Sequence, residues 1–161
     1  MHTRAATLPA STRYVQKAIL WAGLLCGVLD ITAAFVVYGF FGAPPLRLLQ
    51  GIAAGLLGPR AYEVGLATAL LGLLCHFLIA FSAATVYFLL SRWLVILIQY
   101  SVVCGVLYGV AVYFFMNRIV VPLSAATRHP FSVKFMVIGV VIHIFCVGLP
   151  IATMVRKYST N

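Results

Sequence analysis

Four long apolar runs, separated by short polar or proline-rich breaks, set the pattern of the chain. The first begins at Ser11 or Tyr14 and ends at Gly42, where Pro44 and Pro45 stop a helix because proline has no backbone N–H to continue it. The second runs from Tyr62 to Leu90 and the third from Leu94 to Asn117, with only Ser91-Arg92-Trp93 between them. So short a turn predicts an antiparallel hairpin of two helices packed side by side. The fourth runs from Phe135 to Val155, is closed by Arg156-Lys157, and contains Pro150, which should bend its last turns. Each run is at or above the ~20 apolar residues that cross a hydrocarbon core of ~30 Å.

Residues 45–58, PLRLLQGIAAGLLG, are too short to span. Leu46, Leu49, Ile52, Ala53 and Leu56 recur at helical spacing, while Arg47, Gln50 and Ala54 fall elsewhere. That spacing predicts a short amphipathic helix on the outer interface, with a re-entrant hairpin as its rival. The expected fold is therefore all-α: one membrane domain, a polar tail over 1–12, and a polytopic four-transmembrane-helix bundle. Its spans are 14–42, 62–90, 94–117 and 135–155, with the interfacial helix over 45–58 between the first two. Residues 118–134 form the second external loop.

Composition agrees, with 64% apolar and 8% charged residues in a chain of 161; soluble domains carry about 25% charged residues. The lipid bilayer is the expected partner. The net charge of +9 sets 11 Lys and Arg against Asp30 and Glu63. Those cations lie at helix ends and loops, where they suit anionic head groups, and no basic block with interleaved aromatics suggests nucleic acid. The basic flank of the first helix (Arg4, Arg13, Lys17) orients the chain with both termini inside, in a plasma or bacterial inner membrane. Residues 18–41 exceed a signal-peptide core, so a retained first helix is expected. Cys26, Cys75, Cys104 and Cys146 lie in separate runs with no CxxC, which does not suggest a disulfide framework.

Three polar residues sit in the middle of these runs: Asp30 in LLCGVLDITAAF, His76 in LLCHFLIAF and His143 in VIHIFCVGL. A charged aspartate at mid-bilayer costs about 2.5–3.5 kcal/mol on insertion scales, so Asp30 must face the bundle and find a partner or a proton. The expected partners are His76 and His143. Four uses fit the set. One is a structural Asp–His cluster fixing helix register in a non-enzymatic bundle, as a subunit of a larger complex. A second is proton-coupled or small-solute transport. A third is a b-type haem ligated by His76 and His143, although the two histidines sit at unequal depths. The fourth is a metal site of Asp30, a histidine and a cysteine, against which no ligand pair stands at the HExxH spacing.

No nucleophile motif, phosphate loop or paired carboxylate points to an enzyme. Glu63 is expected to pair with Arg60 or Arg47, and His129 to meet water. GxxxG patterns at Gly23/Gly27, Gly51/Gly55 and Gly105/Gly109 predict close helix packing within one bundle, or a homodimer face.

The stretches GVLYGVAVYFFMN, VVPLS and IHIFCVGLP, with His76 and the Ser91–Trp93 turn, resemble a group of bacterial inner-membrane proteins of which the YagU-like proteins look like distant members. LDITAAF, LLQGIAAGLLG and CHFLIAF look typical of the nearer relatives, and the resemblance covers most of residues 18–157. It implies a four-span bacterial membrane protein. Acid-stress survival attaches to the YagU-like branch, whose longer first external region this chain lacks. The recurring stretches single out Asp30, Thr32, His76, Asn117, Pro122, Ser124 and His143 as site residues. The resemblance also makes PLS a loop folding over the outer mouth.

Overall fold

The computed structural model describes residues 10–127 and 131–159. Most of the polar tail, Arg128 and His129 lie outside them. The elements are α1 (Ala10–Gly39), α2 (Pro45–Leu57), a 3-10 turn (Gly58–Tyr62), α3 (Leu66–Trp93), α4 (Ile96–Gln99), α5 (Ser101–Phe115), α6 (Val121–Leu123), α7 (Val133–Ile142) and α8 (Leu149–Ser159). A π turn at Met116–Val120 joins α5 to α6, and another at His143–Gly148 joins α7 to α8. Four continuous apolar helices result: Tyr14–Gly39, Leu66–Trp93, Ser101–Leu123 and Val133–Ser159. The chain is an all-α, four-span integral membrane protein. One end of the bundle, the terminal end, carries Ala10, Ser159 and α4. The other, the loop end, carries α2 and residues 124–127 and 131–132.

Several boundaries differ from the sequence expectation for local reasons. Gly65, at φ +76°, delays α3 to Leu66. The tight turn at Ser91–Trp93 is helical instead, and the chain reverses through Leu94 and the single turn of α4, so α5 starts at Ser101. At the loop end the third span continues through Arg118 to Leu123, into the stretch expected to be loop. Both π turns precede a proline, Pro122 and Pro150. A proline inside a helix removes one i→i−4 bond and crowds the carbonyl four residues back. Widening the preceding turn relieves that crowding. The distortion expected in the last turns after Pro150 therefore falls ahead of it.

The second and third spans, expected to pack side by side as a hairpin, meet through side chains and not through close backbone packing. The close backbone neighbours of α1 are α3 and α8, and α5 packs on the π turn His143–Gly148 and on α8. The glycines explain this choice. A Cβ on Gly148 would strike the Gly105 carbonyl and the Gly109 backbone, and one on Gly105 would lie 3.0 Å from Ala152 Cβ. Only where neither helix has side chains can backbones come this near. Gly23 and Gly27 instead receive the rings of Phe81 and Phe77 from α3, and Gly55 lies against Ser124. All three GxxxG pairs thus face other parts of the same chain. α3 meets α5 through tyrosines: Tyr108 donates to the Ala83 carbonyl at 2.7 Å, and the Tyr87 and Tyr108 rings meet edge to face at 4.9 Å.

α2 packs into the loop end, with a face other than its apolar pattern implies. Gln50, Ala53 and Ala54 are buried, while Leu46 and Leu56 are exposed. Gln50 Nε2 donates to the Gly65 carbonyl at 3.0 Å, and the Leu49 carbonyl fills the space where a Gly72 side chain would stand. Small residues at the crossing outweigh apolar surface here, because lipid accepts exposed leucines without penalty. Residues after α6 strap α2 down, with Ala125 N–H donating to the Gly55 carbonyl at 2.9 Å. Of the PLS motif, Pro122 and Leu123 are helical and Ser124 begins the strap.

Candidate functional site

Asp30, His76 and His143 each stand about ten residues, roughly 15 Å at 1.5 Å per residue, from the loop end of their helices. The unequal histidine depths expected from the sequence therefore disappear once the true helix ends are known. Two cavities of about 200 Å³ each meet at this level. Asp30 and His143 line both.

The first cavity is half-open and lies between α1, the third span and the fourth. It reaches the loop end, because its walls include Tyr38, the penultimate residue of α1, and Phe135, the third of α7. Tyr113 and Asn117 supply the wall from the third span. Gly139 matters here, since a Cβ there would run into the Tyr113 ring. The second cavity continues toward the terminal end past His76, under Ile52 of α2, to a floor of Cys26, Ala80, Ala83 and Val147. Below that floor the bundle is dry: Ala18, Ala22, Ala84, Tyr87, Ile151, Ala152 and Val155 are all fully buried in one cluster.

The expected direct pairing of Asp30 with a histidine is not what the side chains do. His76 Nε2 bonds the Gly27 carbonyl at 2.8 Å, and His143 Nδ1 bonds the Gly139 carbonyl at 2.9 Å. A carbonyl only accepts, so each of those nitrogens carries the proton. Nδ1 of His76 and Nε2 of His143 are then left with a lone pair or a second proton. Among the described residues no hydrogen bond or ion pair holds the Asp30 carboxylate, which is half-buried against the cavities. The backbone supplies the nearer acceptors: Gly27 offers a carbonyl that α3 can approach, and Gly139 lies one helical turn before His143.

The remaining sequence candidates separate. Asn117 lines the first cavity, with its Nδ2 donating to the Tyr113 carbonyl at 3.0 Å. Thr32 is exposed and lines neither cavity. It lies about 200° round the helix from Asp30, so the two cannot share a face. Ser124 bonds the Val121 carbonyl locally at 2.8 Å. Arg47 turns to Tyr62 rather than to Glu63, with Nη1 3.4 Å from the Tyr62 carbonyl and the guanidinium 5.5 Å from the ring centroid. A haem between His76 and His143 finds little room, since the space they share is about 200 Å³, below the ~300–1,000 Å³ of small-molecule sites. Among the described residues no three His, Cys, Asp or Glu side chains gather around one point.

Sequence reasoning passed over Tyr38, Tyr113 and Phe135. Helical spacing could have found them, because residues four apart share a face. Cys26, Asp30, Ala34 and Tyr38 form one such stripe, Tyr113 and Asn117 a second, and Phe135, Gly139 and His143 a third. Both Asn117 and His143 also belong to π turns, a distortion that often accompanies functional sites. Comparison with family models, with curated proteins and with solved structures finds no match to the chain.

Proposed function

We propose that the protein is a non-enzymatic membrane carrier in which Asp30 exchanges a proton with the loop-end side and couples it to movement of a small solute. One observation supports this most: a carboxylate that no described residue bonds or pairs with stands where two cavities meet, one of them reaching the loop end. Ionisable groups inside membranes are expensive and tend to line ion pathways. A purely structural cluster would bond Asp30 to a histidine. Here each histidine bonds a carbonyl and keeps a second nitrogen able to take or pass a proton. The dry, tyrosine-braced terminal half then serves as the closed gate of a loop-side-open state.

The basic first-helix flank supports a topology with both ends on the cytoplasmic side of a bacterial inner membrane, in which the open cavity faces outward. The resemblance to four-span bacterial inner-membrane proteins agrees with that location. Liposomes containing the purified protein and an internal pH dye test the proposal. With a mixture of small solutes, organic cations included, on both faces of the membrane, an inward proton gradient should acidify wild-type vesicles, and Asp30→Asn should slow this at least about tenfold, the effect of a lost barrier contribution of ~1.4 kcal/mol. Equal rates for the two proteins would end the proton reading.

A further inference from the structure

The walls of the loop-end cavity point to a particular guest. They bring one carboxylate, Asp30, together with the rings of Tyr38, Tyr113, Phe135 and His143. The rings brace one another: Tyr38 stacks on Phe135 at 5.9 Å, Phe41 meets Phe135 edge-on at 5.3 Å, and Tyr113 meets His143 edge-on at 5.4 Å. Among the described residues no lysine or arginine lines this cavity. Aromatic faces carry negative potential and attract cations within about 6 Å of their centroids. The chain shows this at the mouth, where Lys134 Nζ sits 4.4 Å from the centroid of Phe41.

An inorganic divalent cation that shed its water here would require six or so oxygen ligands, which this wall does not supply. An anion would meet Asp30. Rings with a single carboxylate instead complement a cation whose charge is spread under an apolar skin. Among the described residues the cations at the rim, Arg118 and Lys134, are exposed, and salt screens such charges within about 8–10 Å.

Building on the proton-exchange reading above, we infer that the guest is a small monovalent organic cation, an alkyl- or quaternary ammonium, which displaces the proton of Asp30. The exchange balances: a neutral carboxylic acid and a free ammonium become a carboxylate–ammonium pair and a released proton. Asp30 holds one or the other, which couples guest to proton. Other titratable groups around it are Cys26 and Tyr38 on α1, His76 on α3, Tyr113 on α5, and His143 on the fourth span, with Cys146 one turn further on. Both proteins compared below contain all of them, so the difference isolates Asp30.

The test is proton release from purified protein in uncharged detergent, weakly buffered, at a series of pH values, on adding tetramethylammonium chloride. Sodium chloride at the same concentration is the control. Wild type should release up to one proton per chain, saturably and with tetramethylammonium only. Asp30→Asn should release less than a tenth of that, and Asp30→Glu should keep it. Phe135→Leu and Tyr113→Leu should raise the half-saturating concentration about three- to tenfold. Equal release with sodium would overturn the organic-cation assignment. So would no release from a wild type that still takes up an Asp30-dependent proton in the liposome assay, which leaves proton exchange standing. Loss of Asp30 dependence in both assays brings both down.

Discussion

The two halves of this bundle are made from the same four helices, yet they solve different problems. In the terminal half, Ala18, Ala22, Ala84 and Ala152 are fully buried and the helices touch with almost no side chain between them. In the loop half the same helices stand apart around two cavities, and a separate small core of Ala53, Ala54 and Ala61 holds α2 against α3. What separates them is residue size. Alanine and glycine let backbones close up, which in lipid is the main source of helix attraction. The tyrosines, phenylalanine and histidine around Asp30 hold the helices open. A rigid closed half and an open polar half in one bundle are the two ends an alternating-access device needs, and the boundary between them is the cavity floor at Cys26, Ala80 and Val147.

Substitutions at the closed half should therefore be the most damaging. Gly148→Val puts a branched side chain where the Gly105 carbonyl and Gly109 backbone already stand. Neither neighbour is a flexible side chain, so the third and fourth spans must separate. Overpacking of this kind costs about 3 kcal/mol or more. A midpoint in a denaturation series in mixed micelles should fall accordingly. An unchanged midpoint would mean that the halves do not differ as described. Tyr87→Ala comes next. Its ring is fully buried between α3, α5 and α4, and its hydroxyl donates to the Leu97 carbonyl at 3.0 Å. Emptying that volume should cost about 3 kcal/mol, read in the same series.

Tyr108→Phe sharpens the picture at lower cost. It keeps the ring against Tyr87 and deletes only the donor to Ala83, the bond that braces α3 against α5 just below the cavity floor. Interhelical hydrogen bonds in membranes average ~0.6 kcal/mol and reach ~1.7, so the midpoint should drop slightly. If the bond is part of the closed gate, proton leak through liposome-reconstituted Tyr108→Phe should rise above wild type. A leak unchanged from wild type would assign the gate to packing alone.

The fold was legible because spans are written in composition: runs of about 20 apolar residues and their proline and glycine breaks leave little choice. The positions of Asp30, His76 and His143 within the bundle followed from the same logic, since a charge in lipid must turn inward. Which helices would be neighbours was harder to read. Loop length favoured pairing the second and third spans, and backbone contact at Gly148 decided for the third and fourth. The face of α2 was misleading for a related reason, because apolar periodicity marks burial in water and not beside lipid, where Leu46 and Leu56 can stay outside. The histidine partners were illegible. Carbonyls of Gly27 and Gly139 have no signature in a sequence, and they outcompeted a carboxylate.

That last point makes Asp30→Asn the smallest stability change and the most informative. If Asp30 were the hub of a hydrogen-bonded cluster, removing its charge would strand two histidines and weaken the bundle by an amount comparable to other buried networks. In this structure the histidines are held by backbone and the carboxylate by nothing among the described residues. Asparagine has nearly the same shape and no charge to desolvate, and the charge of an intramembrane aspartate costs about 2.5–3.5 kcal/mol on insertion scales. The midpoint should therefore stay where it is or move upward. Proton movement should be lost in the same protein. A fall in stability together with intact proton movement would return Asp30 to a structural role, and the loop half would then differ from the terminal half only in how loosely it is packed.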